Sequence, residues 1–451
     1  MKRSLLISVL ALSIILQQCR TEENATSRNA INPPIPAANI PMNAYRVDAQ
    51  AGGKIFTESG TRISVPENAF VYEDNTPVAG EVDLNYREFH DAADIILSGI
   101  PMEYDSGGQK MVFETAGMFE ITAFSGNKAV FIKDGKAISI DFASSAEEND
   151  YNFYSLDPES NQWSFKGFAS VEQNTVKQEL LDSLNAVAPE PVKPELLTDE
   201  TDVLDFNVNY LQFPELADFH GVLWKYNGTG QAPDPVENEW IYEVNWTNVK
   251  IEKHPSIPGL YTLSLRARDN KFETTVTPVL SDEDYEKAMA NFDQKMESYQ
   301  TNYIAAINEK KRVALQNDFV RSFEVRNFGI YNWDRQLKQP NVVSVLAGFE
   351  VDGKPIDQSV ASPIYLIAGK KAVVKYYASD WDKFAFSQRE TNKILYITAD
   401  GKVAIFDEKA FNKIKSNEFE NYEVPTYTFN LTTASTKIES SADLRKVLNL
   451  I

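Results

Sequence analysis

Along most of this 451-residue chain, apolar residues recur at every second position in short runs closed by turn residues. That period constrains the fold more than any other feature. Val82, Leu84 and Tyr86 alternate with Asp83, Asn85 and Arg87, so one face of an extended segment enters a core and the other meets water. Met118 to Phe124 continues in the same manner. Gly52-Gly53-Lys54-Ile55-Phe56 and Thr61-Arg62-Ile63-Ser64-Val65 read as short strands around Ser59-Gly60. Val130 to Lys133 and Lys136 to Phe142 flank Asp134-Gly135, a hairpin signal because Gly takes positive φ without strain. Asp269-Asn270, Asp352-Gly353, Ala368-Gly369-Lys370 and Asp400-Gly401 punctuate later strands in the same way. The pattern predicts a mainly β chain of tandem β-sandwich domains with one long amphipathic helix.

That helix announces itself by a change of period between Ser281 and Asp318. Tyr285, Met289, Phe292, Met296, Tyr299, Tyr303 and Ile307 follow one another at steps of three and four, drawing one apolar stripe. Ser281-Asp282-Glu283-Asp284 is a capping start. The stripe is expected to pack along the flanking sandwiches, with a coiled-coil partner surface as the alternative. Shorter helices are expected at 172–187, 407–414 and 442–448. The resulting map has a signal segment at 1–18, a tether at 19–43, a β-sandwich at 44–170 and a Pro-rich linker at 171–200. An immunoglobulin-like β domain at 201–280, the helix at 281–319 and a C-terminal β-rich domain at 320–451 complete it. Asn24 to Asn43, with Pro33, Pro34, Pro36 and Pro41, is too poor in apolar residues to order itself, and Ala188 to Glu195 reads as a stiff extended spacer.

The N-terminus carries an address. Lys2 and Arg3 precede Ser4 to Leu16, an apolar run of 13 residues, shorter than the ~20 needed to span a bilayer as a helix. A basic start and a short apolar run make a secretory signal. It ends at Leu16-Gln17-Gln18-Cys19, and Cys19 is the one cysteine of the chain. This resembles a bacterial lipoprotein signal, which implies lipid attachment at Cys19. Arg20, Thr21, Glu22 and Glu23 follow, similar to the acidic export tag of some surface lipoproteins. No other stretch is long and apolar enough to be a membrane helix.

Composition limits the chemistry. With 44 Lys and Arg against 65 Asp and Glu, the formal charge is −21, which argues against a nucleic-acid partner. Residues 321–451 hold 18 basic and 16 acidic residues, whereas residues 19–320 hold 24 and 49. One Cys leaves no disulfide framework and no Cys-rich metal site, and the three histidines are His90, His220 and His254. Familiar motifs for serine hydrolysis, zinc proteolysis, phosphate cradling and dinucleotide binding are absent. The densest ionisable cluster is His90-Asp91-Ala92-Ala93-Asp94, which offers an imidazole and two carboxylates to a metal, though a strand end commonly carries such charge for solubility. Trp163, Trp224, Trp240, Trp246, Trp333 and Trp381 are candidates for sugar stacking, with burial in the core as their ordinary fate. In the aromatic segment Phe328 to Arg335, a Trp is expected to pack beside an Asp–Arg pair.

Gly52 to Phe56, then Ser59-Gly60-Thr61 to Val65-Pro66 and Asn68-Ala69-Phe70, resembles the opening of the ZU-five β-sandwich of ankyrins and netrin receptors. Some relatives cleave themselves at a His-Phe-Ser motif, which this chain lacks. Phe113 to Phe119 resembles a group of bacterial envelope lipoproteins, a likeness that implies location and no activity. Asp182-Ser183-Leu184 resembles an O-glycosylation sequon of envelope proteins. Together these features lead to an expected lipid-anchored lipoprotein of the cell envelope, at the outer membrane or cell surface. Its expected role is non-enzymatic binding or scaffolding, through an envelope protein or glycan, with no cofactor. The alternative is an envelope hydrolase acting on glycans or peptides through carboxylates.

Overall fold

A computed structural model of the protein describes residues 31–106, 109–168, 170–185, 190–198, 203–206, 211–213, 216, 219, 221–414, 419 and 425–450. The signal segment 1–18, Cys19 and the tether before residue 31 lie outside the described residues. The chain divides into two compact units: one of residues up to Thr175 and from Gln316 onward, the other Val176–Leu315.

The first unit contains a sixteen-stranded sheet and a five-stranded sheet. Glu81–Phe89 pairs with Asn43–Asp48 on one edge and with Gln109–Ser125 on the other. Val82, Leu84 and Tyr86 point into the core, as the alternation requires. They meet Phe119, Phe153 and Trp333 of the same sheet and Ile63, Ile140, Phe142 and Val325 of the smaller one. Two sheets closed on one apolar layer make a β-sandwich.

Strands from both ends of the chain build it. Phe319–Val325 lies against Ile138–Ser144, in register from Ser144 with Phe319 to Ile138 with Val325. Gly329–Gln336 is inserted between Asn152–Leu156 and Gln109–Ser125. Segments 44–170 and 320–451, read from the sequence as separate domains, thus share both sheets. A period of two specifies which face of a strand is buried, and not which strand lies beside it.

Turns follow the same logic. Asp352-Gly353, Gly369 and Asp400-Gly401 each close a hairpin between paired neighbours. Asp134-Gly135 does not. Phe131–Ile132 pairs with Phe70–Val71, while Ile138–Ser144 pairs with Arg62–Val65 and Phe319–Val325, so the turn is a corner between sheets. At Gly117, φ is 141° and an added Cβ would lie 2.1 Å from the Phe142 ring, so only glycine fits. The adjoining register shift at Trp333 and Asp334 sets Thr115 opposite Asp334 and Gly117 opposite Trp333.

A second core joins the helix Ala92–Ser98 to the helix Ser441–Leu448 through Ile96, Leu97, Leu444 and Leu448. The tether expected to be disordered is docked here from residue 32. Ala38 is buried, Ile35 and Ile40 pack against this core, and Arg87 Nη1 donates to the Ile40 carbonyl at 2.8 Å. Three apolar side chains between prolines suffice once a hydrogen-bonded ledge exists. A third core gathers Val345, Phe349, Phe384, Phe386 and Phe429 of the C-terminal strands.

In the second unit the strands form one six-stranded sheet, with Asn270–Leu280 between Leu223–Tyr226 and Tyr261–Ala267. Among the described residues the immunoglobulin-like reading therefore lacks its second sheet. Irregular segments carrying Phe213, Leu216 and Ile241 cover Trp224 and Tyr261 instead. The expected spacer joins the fold too, since Glu195–Leu196 pairs in parallel with Val279 and Leu280. Asp282–Ala314 is the long helix, 33 residues. Acids fill its first turn and Lys311 and Arg312 its last, complementing the helix dipole. Only Ala288 and Val313 of it are buried, while Tyr303 and Ile304 stay 43 % and 58 % exposed. The expected packing along the whole stripe is incomplete for a geometric reason. A 33-residue helix runs about 50 Å, and its 11-residue neighbour Asn270–Leu280 only about 36 Å.

Candidate functional site

Asp91 and Asp94 owe their positions to the helix Ala92–Ser98. Asp91 is its N-cap and accepts from the amides of Ala93 and Asp94. Asp94 accepts from the His90 amide at 2.9 Å. Arg445 then takes both carboxylates, Nε to Asp91 at 2.6 Å and Nη2 to Asp94 at 2.6 Å. His90 turns away to Glu88, with Nε2 at 2.8 Å from Oε2, and stacks on Phe142. Burial opposes charge on both partners of this pair. Their hydrogen bond and attraction outweigh it, holding Glu88 below its ordinary range and His90 above. The three residues read as one candidate metal cluster are thus divided between a salt bridge and an imidazole–carboxylate pair. No group of three or more His, Cys, Asp or Glu among the described residues is arranged to hold a metal ion.

A different site was not legible in the sequence. A cleft of about 730 Å³ opens where Glu114, Tyr151 and Arg335 form the floor. The loop 145–150 and the hairpin tip 369–371 also line it, with Lys338 and Glu390. Tyr151 is the anchor: Arg321 and Arg335 lie over its ring at 4.9 and 4.5 Å, and its hydroxyl donates to Glu114 Oε1 at 3.0 Å. Arg335 grips Glu114 through Nε at 3.1 Å and Nη2 at 2.9 Å, and Asp150 through Nη1 at 2.7 Å. Burial would raise the Asp150 carboxyl, but the Arg335 hydrogen bond and charge hold it below the usual range. The Asp–Arg pair expected at Asp334 and Arg335 is not made. Asp334 is fully buried beside Asn332, where burial pushes its carboxyl well up, and Arg335 emerges on the other side of the strand.

Arg321 lies beneath the cleft with no exposed surface. Its Nη2 donates to the carbonyls of Ala146 at 3.0 Å and Glu148 at 2.6 Å, which fixes the acidic loop, and Nη1 has no hydrogen-bond partner among the described residues. Burial lowers the Lys371 ammonium. The cleft draws on residues 114, 151, 321, 335 and 371, and the more basic balance of 321–451 was its only trace in sequence.

Of the tryptophans, Trp163, Trp224, Trp333 and Trp381 are core residues. Trp240 stays 41 % exposed, 6.0 Å from half-buried Trp246, with Tyr242 59 % exposed nearby in sequence. Ser183 sits on the helix Thr175–Asn185, its hydroxyl donating to the Leu180 carbonyl at 2.8 Å. No helix among the described residues is long and apolar enough to cross a membrane. No protein-family model, curated protein or solved structure matches this chain.

Proposed function

We propose that the protein is a lipid-anchored lipoprotein of the bacterial cell envelope, at the outer membrane or surface, that binds rather than transforms its partner. The carrying observation is Cys19, the one cysteine, placed directly after a basic start and a 13-residue apolar run. A thioether-linked diacylglycerol with a further acyl chain is a stable anchor, since each buried CH₂ contributes about 0.8 kcal/mol and one chain alone is marginal. The binding half of the reading is supported by surfaces that the fold leaves open: the charged cleft on Tyr151 and the exposed Trp240 and Tyr242. Aromatic faces of that kind suit the glycan contacts expected of an envelope protein. The carboxylates held by Arg335 and Arg445 are engaged as ion-pair partners, which favours binding over a carboxylate hydrolase.

Metabolic labelling with a palmitate analogue tests the address. The wild-type chain should carry label, stay with membranes through carbonate washing and leave them in detergent. Cys19→Ser should lose the label. Unmodified Cys19 thiol in the membrane-bound protein, read by mass spectrometry, would overturn the reading.

A further inference from the structure

The cleft on Tyr151 distributes its charges unevenly between its covered and its solvated parts. Its buried portion is cationic. Arg321 is fully buried, Arg335 is 23 % exposed at its side chain and Lys371 is half-buried, against one comparably covered carboxylate, Glu114, at 24 %. Glu148 and Asp150 are 55 % and 54 % exposed and therefore solvated, as are Glu147 and Glu390. Among the described residues, neither Arg321 nor Lys371 forms an ion pair with a carboxylate. Arg321 satisfies itself on two carbonyls and the Ser144 hydroxyl and leaves Nη1 bare. Lys338 and Lys370 stand exposed on the lining, and among the described residues neither forms an ion pair with a carboxylate. Taking cations out of water without a counter-charge is costly. Carboxylates act on Arg321 and Lys371 from the solvated loop and from Glu114, which leaves the open side of the cleft for a further anion.

We propose that this cleft binds a small ligand through an oxyanion, a carboxylate or a phosphate, held by half-buried Lys371 and by exposed Lys338 and Lys370. Several observations narrow the ligand. The volume of about 730 Å³ admits a group the size of a sugar acid or a short acidic peptide. The lining is dominated by charged side chains, and guanidinium groups already lie over the one ring on the floor, so recognition runs through charge and hydrogen bonds rather than stacking. The exposed acids of the loop 145–150 repel a polyanion that would spread beyond the cleft, which selects a ligand with one anionic end. Arg321, by gripping the carbonyls of Ala146 and Glu148, holds that loop in place and acts as a positioning residue. The proposal rests on the binding role above and not on the lipid anchor. Unmodified Cys19 would overturn the address alone, and a silent cleft the ligand alone.

The test is calorimetric titration of the full chain in detergent with inorganic phosphate and, separately, galacturonate, against sodium chloride at matched ionic strength. Saturable binding of either probe is expected. Phosphate alone, galacturonate alone or both would identify a phosphate, a carboxylate or a general oxyanion site. Lys371→Gln should weaken binding by about ten-fold or more, the scale of one lost charge-assisted hydrogen bond. The exposed double variant Lys338→Gln/Lys370→Gln serves as the second arm, since neither side chain supports the core, and should weaken binding several-fold with an unchanged melting temperature. Absence of saturable binding for both probes would overturn the proposal. Affinity untouched in the folded variants would overturn it equally.

Discussion

Arg445→Met tests how the C-terminal helix is held, because it removes a charge while keeping most of the apolar stem. Asp94 is 2 % exposed at its side chain, Asp91 is 22 % and Arg445 is 29 %. Removing one partner of a buried ion pair costs about 3–5 kcal/mol, since the remaining charge is left in a poor solvent. Water reaches Arg445 in part, so about 3 kcal/mol is expected at pH 7. The pH dependence follows from Asp94, whose carboxyl burial and then Asp91 push up while Arg445 pulls it down. Without Arg445 it rises further. A folded-state pKa above the unfolded one means that the folded protein holds the proton more tightly. The penalty is therefore absent below the unfolded value, near 4, and complete above the folded one. Urea unfolding should show the gap between variant and wild type shrinking from pH 7 to pH 4. Asp94→Asn in the Arg445→Met background should recover much of the loss by removing the stranded charge. A gap below about 1 kcal/mol at pH 7, or one that stays constant down to pH 4, would mean that water rather than Arg445 solvates Asp94.

Gly117→Ala should destabilise the first unit by about 3 kcal/mol, combining a left-handed φ with a Cβ driven against Phe142. Phe142→Leu in the same chain should cost less than the two single losses added, and strict additivity in urea unfolding would exclude the proposed clash. Burial pushes the Lys375 ammonium down to about 8, so the unfolded chain binds the extra proton between that value and the ordinary one near 10.4. Stability owed to this group therefore rises with pH across that window. Lys375→Met should accordingly stabilise the protein by about 2 kcal/mol at pH 7 and lose the advantage by pH 10. A gain that persists at pH 10 would assign it to packing instead.

What the sequence displayed was local. Val82, Leu84 and Tyr86 revealed a half-buried strand because side-chain alternation is a property of that strand alone. The helix was equally plain, to within a few residues, because seven apolar positions shared one period. Partners were hidden. Nothing in Phe319–Val325 announces Ile138–Ser144 as its neighbour, and Asp134-Gly135 has the chemistry of a hairpin although its flanks belong to different sheets. The cleft was hidden for the same reason, since Glu114 and Arg335 meet only after those strands pair. At His90, Asp91 and Asp94 the cluster was visible but its use was not, because Arg445 stands more than 350 residues away in sequence.

The uneven charge of the chain acquires a physical meaning in this arrangement. Residues 321–451 are slightly basic and the preceding 302 are strongly acidic, an imbalance that suggests surfaces of opposite character while the two segments are thought separate. In the fold they are interleaved, and the cations of the later segment meet anions of the earlier one. Arg335 reaches Glu114 and Asp150, and Arg445 reaches Asp91 and Asp94. Arg321 reaches the carbonyls of the acidic loop itself. Apolar alternation cannot select among strands that present equivalent faces, and like charges set opposite one another are destabilising. Opposite net charge on two distant segments therefore favours their mutual pairing over pairing within either one. Arg321, Lys371, Lys375 and Lys393 are exceptions, since none of them forms an ion pair with a carboxylate among the described residues. Lys371 lines the cleft on Tyr151 and Arg321 lies beneath it, where the covered cations outnumber the covered acids. Arg321 and Lys371 set covered cations beside a cleft open to solvent, which is where the anion proposed above would add to the pairing.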